Sequence, residues 1–262
     1  MIVPIPFDPH RFRSASAHYL QGRPDYAAGL MPRVAGLCGL DGAGVALDLG
    51  CGPGQLARAL LPFVESVLAM DPEPEMLALG RSLSAGLPID FVQGSSQDLA
   101  PGTGPFRIAV IGRAFHWMDR VATARLLDGL IVPGGALVLF SDTHPDVPDN
   151  AWRAPYQAAL DGVVGGGNRA AWRGPGWVKH EGVLLDSPFP ALERIGILER
   201  RRTPVAQMLE RAQSMSSTSR DRLGEAGIAR LLEAVQAVLA PVAVDGMVTE
   251  VVESVALIAR RA

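Results

Sequence analysis

Gly50, Gly52 and Gly54 alternate through LDLGCGPGQ (47–55), between an apolar run and a helix-forming run. Asp48 lies just upstream, Gln55 just downstream, and Asp71 ends the next apolar run, VLAMD. Strand, glycine turn, helix, second strand and acid make half of a nucleoside-binding site. A glycine turn lets a ligand pass close to the backbone, and the helix behind it offers free N–H groups. A carboxylate at the tip of the second strand can accept hydrogen bonds from a ribose diol, each contributing about 1.5–3 kcal/mol. A dinucleotide clamp, G-x-G-x-x-G/A, needs Gly or Ala at position 55. Gln55, with the third glycine one residue early, points instead to a ligand with a ribose and no phosphates.

These residues need elements to position them. Short apolar runs at 44–49, 66–71, 89–94, 106–112 and 136–140 predict strands. Helical runs at 56–63, 73–83 and 120–131 separate them, the last closed by Pro133-Gly134-Gly135. An entry helix is expected over 24–38, kinked or split at Pro32. Strands alternating with helices imply a parallel sheet covered on both faces, with ligands beyond the carboxyl ends of its strands. The residues at 50–54, 71, 94–97 and 112–117 all fall at such ends.

The alternation breaks after 141. Residues 144–187 hold four prolines, a glycine triplet at 165–167 and the tryptophans Trp152, Trp172 and Trp177. They are expected to form a cap inserted over the sheet. A sixth strand is expected over 190–202, and Thr203-Pro204 as N-cap and first residue of a short helix. A helix over 225–240 and a last strand over 248–260 complete the chain. One domain is expected: an N-terminal helical lid segment (1–43), a cofactor-binding core (44–143), the cap (144–187) and a C-terminal part of the sheet with helices (188–262).

Composition narrows the function. The 262 residues carry a net charge of −3, with no basic excess for a nucleic-acid partner. No apolar run approaches the ~20 residues needed to cross a bilayer. Two cysteines, Cys38 and Cys51, do not suggest a disulfide framework, and no Cys/His cluster has metal spacing. A cytoplasmic location is the expectation. The oligomeric state stays open.

Several segments carry a family resemblance. The pattern D-x-G-x-G-x-G followed by an acid resembles motif I of the class I S-adenosylmethionine-dependent methyltransferases. AHYLQGRPDY (17–26) and AFHWMD (114–119) resemble signatures of a small-molecule branch that includes relatives of trans-aconitate methyltransferase. GSSQDL (94–99) resembles the segment that holds the adenine, and VTEVVESVALIARR the reversed seventh strand. Ala27 and Ser95 depart from that pattern, standing where the branch has proline and an acid.

The resemblance implies an α/β fold: a Rossmann-like seven-stranded sheet, parallel except for a reversed last strand, with helices on both faces and the cap after strand five. It implies S-adenosyl-L-methionine as cofactor, S-adenosyl-L-homocysteine as product and a small-molecule acceptor. Gly50, Gly52, Gly54 and Gln55 would pass beneath the methionine part, with Asp48 orienting the turn or holding the ammonium through water. Asp71 would bind the ribose, with a helix cap as its plainer role. Pro72, Met76, Ser95, Ser96 and Gln97 would edge the adenine. The backbone at Gly112, Arg113 and Ala114 would face the amino group. Arg23 would pair with the methionine carboxylate, and Tyr19 would line the transfer face.

His116, after the fourth strand, is the candidate base, its ordinary pKa of about 6.5 suiting an oxygen or nitrogen nucleophile. A packing His-Trp pair is the competing role. Trp117, Trp152, Tyr156, Trp172 and Trp177 are candidates for an acceptor pocket, or for the cap's own core. His144, Arg169, Arg173 and His180 are further polar candidates. A methyltransferase acting on O, N or C of a small molecule leads. A cofactor-binding regulatory or partner subunit without turnover, and an NAD-dependent oxidoreductase, are the alternatives.

Overall fold

A computed structural model describes residues 12–165 and 176–262. Its centre is a seven-stranded sheet in the order β3-β2-β1-β4-β5-β7-β6. The strands are β1 (Val45–Leu49), β2 (Ser66–Asp71), β3 (Ile89–Gln93), β4 (Phe106–Gly112), β5 (Ile131–Thr143), β6 (Ala191–Pro204) and β7 (Met247–Arg260). All pairings are parallel except those of β7, which runs antiparallel to β5 and β6.

The alternation of the strands sends side chains to two cores. Ala46, Val67, Ile108, Val138 and Ile258 face one side, against α2 (Leu30–Leu37) and α3 (Gln55–Leu60). Leu47, Ala109, Ile111, Leu137 and Leu257 face the other, against α5 (Arg120–Asp128) and α7 (His180–Leu185). The remaining described helices are α1 (Ser16–Gly22), α4 (Pro74–Leu83), α6 (Arg153–Val164), α8 (Val205–Gln213) and α9 (Arg220–Leu239).

Several boundaries differ from expectation for physical reasons. The entry helix starts at Leu30, not Pro24, so Pro32 falls in its first turn, where a missing N–H leaves no bond unmade. A separate helix, α1, precedes it. α5 stops at Asp128, and Pro133-Gly134-Gly135 lies inside β5. There the register runs from Phe106↔Ile131 to Ile108↔Ala136, so five residues of β5 answer two of β4. The proline and glycines form a bulge, not a helix stop. Thr203 and Pro204 finish β6, and α8 begins at Val205. α9 starts at Arg220 and is interrupted at Gly224, whose φ is 63°.

The cap splits. α6 joins α8 and α9 in a third cluster with Trp152, Tyr156, Met208, Leu231 and Val235, while α7 lies on the sheet beside α5 and β6. The tail of the glycine triplet, with Arg169, Trp172 and Arg173, lies outside the described residues.

Candidate active site

β1 delivers the glycine turn. Gly50, Gly52 and Gly54 hold φ values of 71°, 52° and 75°, a region that side-chain-bearing residues avoid. A Cβ on Gly50 would lie 2.6 Å from Ala114 Cβ, so the turns after β1 and β4 nearly touch. Asp48 is 1% exposed and accepts a 2.9 Å bond from Ala57 N, which tethers the first turn of α3. Its other oxygen has no hydrogen-bond partner among the described residues. Burial, with the neighbouring charge of Asp71 adding, pushes its pKa up to about 7, against the Ala57 bond.

Asp71 ends β2 with one oxygen on Gly52 N at 2.8 Å and the other on Glu73 N at 2.9 Å. Two backbone bonds leave about two acceptor positions on the carboxylate. Asp71 does not cap a helix, because α4 starts only at Pro74. Burial raises its pKa, and the two backbone bonds work against that rise. Pro72 follows Asp71 directly, and Met76 is buried with its sulfur 4.0 Å from a Cβ built on Gly52. Ser95 N and Oγ both donate to Asp98 at 2.8 Å, and Gly94 N ties this loop to Asp71 O at 3.1 Å.

At the end of β4, Arg113 takes φ 55°. Its side chain bonds Asp142 and donates to Pro24 O at 2.6 Å, with the guanidinium 4.3 Å above the Tyr26 ring. The 19–26 segment is thereby clamped to the ends of β4 and β5. Burial acts to raise the pKa of Asp142, but Arg113 and Arg23 outweigh it and hold the carboxyl below its ordinary value. Asp142 was missed as a site residue, although an acid just past a predicted strand end is the signal that singled out Asp71.

Beside the Arg113 turn opens a cavity of about 260 Å³. Ile111, Leu139, Phe140, Val255 and Leu257 supply its apolar wall, and Arg23, Arg113, His116, Asp142, His180, Glu181 and Arg194 its polar groups. His116 is 9% exposed, its ring 4.4 Å from that of Trp117 and 6.3 Å from that of His180. Tyr19 lies under Arg23, its ring centre 5.6 Å from the guanidinium carbon.

Among the substrate candidates, His116 lines the cavity. Trp117 and Trp177 flank it through ring contacts, Trp117 with His116 and Trp177 with His180. Trp152 and Tyr156 do not form an acceptor pocket: each is 5% exposed inside the helical cluster, and Tyr156 donates to Met208 O. They pack there because α6 presents its apolar face to α9. Trp172 lies outside the described residues. No metal-binding group occurs among the described residues, and none of their helices is long and apolar enough to cross a membrane.

The seven-stranded sheet with its reversed seventh strand has the Rossmann-like fold of methyltransferase structures, and the glycine turn beside Asp71 lacks pyrophosphate spacing. The comparisons agree. Residues 46–135 match a family model described as a methyltransferase domain. An uncharacterized methyltransferase of Mycobacterium tuberculosis is 30% identical over 140 residues, 52% of this chain and 53% of that protein. A ubiquinone biosynthesis O-methyltransferase of Xanthomonas campestris is 35% identical over 111 residues, 40% of this chain and 46% of that one. The chain thus spans about half the length of these relatives.

The fold matches more widely. A methyltransferase structure from Thiobacillus denitrificans in complex with S-adenosyl-L-homocysteine has a TM-score of 0.54 at 13% identity, covering 98% of this chain and 100% of that one. The structure of a proposed type II methyltransferase from Anaeromyxobacter dehalogenans has a TM-score of 0.58 at 21% identity, covering 91% and 97%.

Proposed function

We propose that this chain transfers the methyl group of S-adenosylmethionine to an oxygen or nitrogen atom of a small-molecule acceptor held in the cavity beneath α7. The supporting observation is continuity: the turn at Arg113–Ala114 touches the glycine turn on one side and lines the cavity on the other. Asp71 binds the ribose, the glycine turn passes under the methionine part, and Ser95–Gln97 with Pro72 and Met76 edge the adenine. When bound, the cofactor supplies an electrophilic sulfonium methyl. The cavity walls hold the acceptor in line with it, and such alignment alone is worth about 7–11 kcal/mol. His116 accepts the proton that an OH or NH nucleophile sheds. At about 260 Å³ the cavity falls just below the roughly 300–1,000 Å³ of drug-sized pockets, so the acceptor is small.

The finer placement, in a small-molecule branch with the relatives of trans-aconitate methyltransferase, rests on the 17–26 and 114–119 signatures. The named O-methyltransferase relative fits an oxygen acceptor. Two free cysteines, Cys38 and Cys51, fit the cytoplasm. Calorimetry tests the cofactor reading: S-adenosylhomocysteine is expected to bind and NADH not to. Tight NADH binding with no response to S-adenosylhomocysteine would overturn it.

A further inference from the structure

Two histidines share the cavity wall. His116 follows β4 and His180 opens α7, with their rings 6.3 Å apart and 24° from parallel. An imidazole can donate, accept or carry charge, and what one ring nitrogen meets decides what the other can do. His180 Nδ1 meets Arg120. This arginine opens α5, is 3% exposed and stands behind the cavity wall rather than in it. Its Nη1 donates to Val178 O at 2.6 Å and lies 3.4 Å from His180 Nδ1. The guanidinium carbon sits 4.0 Å from the Trp177 ring centre, and that ring is 6.2 Å from the ring of His180. One buried arginine therefore holds three residues of the 177–180 segment against the start of α5.

The sense of the Arg120–His180 contact follows from chemistry. A guanidinium has donors only and keeps its charge in proteins. Nδ1 of His180 must therefore accept, and the proton of the neutral ring is on Nε2. Protonating Nδ1 would set an N–H against the N–H of a permanent cation 3.4 Å away. Other groups near His180 do not reverse this. Glu181, its neighbour on α7, favours a charged imidazole, but Arg194 of β6 pairs with Glu181 and offsets it. Phe115 presents a ring edge to His180, and His116 is a second imidazole.

We propose that Arg120 is a positioning residue for the acceptor cavity: it locks His180 as a neutral ring with its proton on Nε2. His116 is then the one histidine of that wall able to take up the proton that the acceptor sheds. This proposal rests on the reading of the cavity as the acceptor site, with His116 as proton acceptor. Two imidazoles this close would otherwise titrate as a pair and share the proton between them. Arg120 gives the proton one destination and keeps His180 an N–H donor.

The test is NMR of the full chain labelled with nitrogen-15 in its histidine rings, followed from about pH 6 to about pH 8, where an unperturbed imidazole changes charge. The signals of His180 are assigned by their loss in His180→Gln. In the wild type, His180 is expected to show the neutral Nε2–H pattern throughout, with no titration. Arg120→Leu is expected to make it titrate, and Arg120→Lys, which keeps the charge, to hold it neutral. A wild-type His180 that titrates in this range, or that carries its proton on Nδ1, overturns the proposal. So does a folded Arg120→Leu in which His180 still does not titrate. Should Arg120→Leu fail to fold, the wild-type spectrum still decides. Neither cofactor nor acceptor is needed for this readout, so a failure of the methyltransferase reading shows separately, as no binding of S-adenosylhomocysteine.

Discussion

At the level of single residues, two acids near the ends of neighbouring strands, Asp48 and Asp71, do different work. Asp71 uses two backbone N–H donors to fix its carboxylate at the mouth of the half-site. Asp71→Ala is expected to weaken S-adenosylhomocysteine by about 2–4 kcal/mol, the worth of one or two charge-assisted bonds. A calorimetric loss of only a few tenths would show the ribose to be held elsewhere. Asp48 is the anchor of α3, and its carboxyl has a folded pKa of about 7, well above that of an unfolded aspartate. A raised carboxyl pKa means that the folded state prefers the protonated acid. Its contribution is present below about pH 4 and is lost as pH rises through 7. Asp48→Asn keeps an acceptor for Ala57 N and cannot ionise. Its stability relative to wild type is expected to climb by on the order of 1–4 kcal/mol between pH 4 and pH 8 in urea unfolding. A difference independent of pH would contradict this.

At the level of elements, the N-terminal segment is docked on α8 and on Arg113 at the end of β4. Gly22 faces the backbone of α8, where an added Cβ would lie 2.6 Å from Arg211 N. His18 pairs with Glu210 at 2.6 Å across the same contact. Gly22→Ala is therefore expected to lift α1 from α8. Hydrogen exchange should speed up over residues 16–26 while β1, β4 and β5 stay protected, and unchanged exchange in α1 would refute the docking. The contact is secured from below by Glu250. This acid is 1% exposed and receives two bonds from Arg211, one from His144 and one from Thr203. Arg211→Leu strands that carboxylate in the interior and is expected to cost about 3–5 kcal/mol of stability in denaturant unfolding. A cost under 1 kcal/mol would mean that Glu250 is solvated or protonated.

Across the whole molecule, what was legible in the sequence was what repeats or is locally encoded. The glycine turn, the acid on β2 and the buried run of β4 each carry their own signal within a few residues, and the sheet follows from their alternation. The long-range closures are silent in sequence. Trp152 and Tyr156 looked like pocket aromatics because tryptophan suits both a pocket and a core. Only the packing of α6 on α9 decides between them. Arg113 was read through its backbone alone, yet its side chain joins Pro24, Tyr26 and Asp142 from two distant segments. His180 and Arg194 enter the cavity from α7 and β6, some 60–80 residues beyond His116. In the proposed function, contiguous motifs make the cofactor half and scattered residues the acceptor half.

A crystal structure of the chain with S-adenosylhomocysteine tests this division most directly. The ribose is expected within hydrogen-bond distance of Asp71, with the sulfur turned toward the cavity bordered by Arg23 and His116. Ribose away from Asp71, or a sulfur facing away from that cavity, would contradict it.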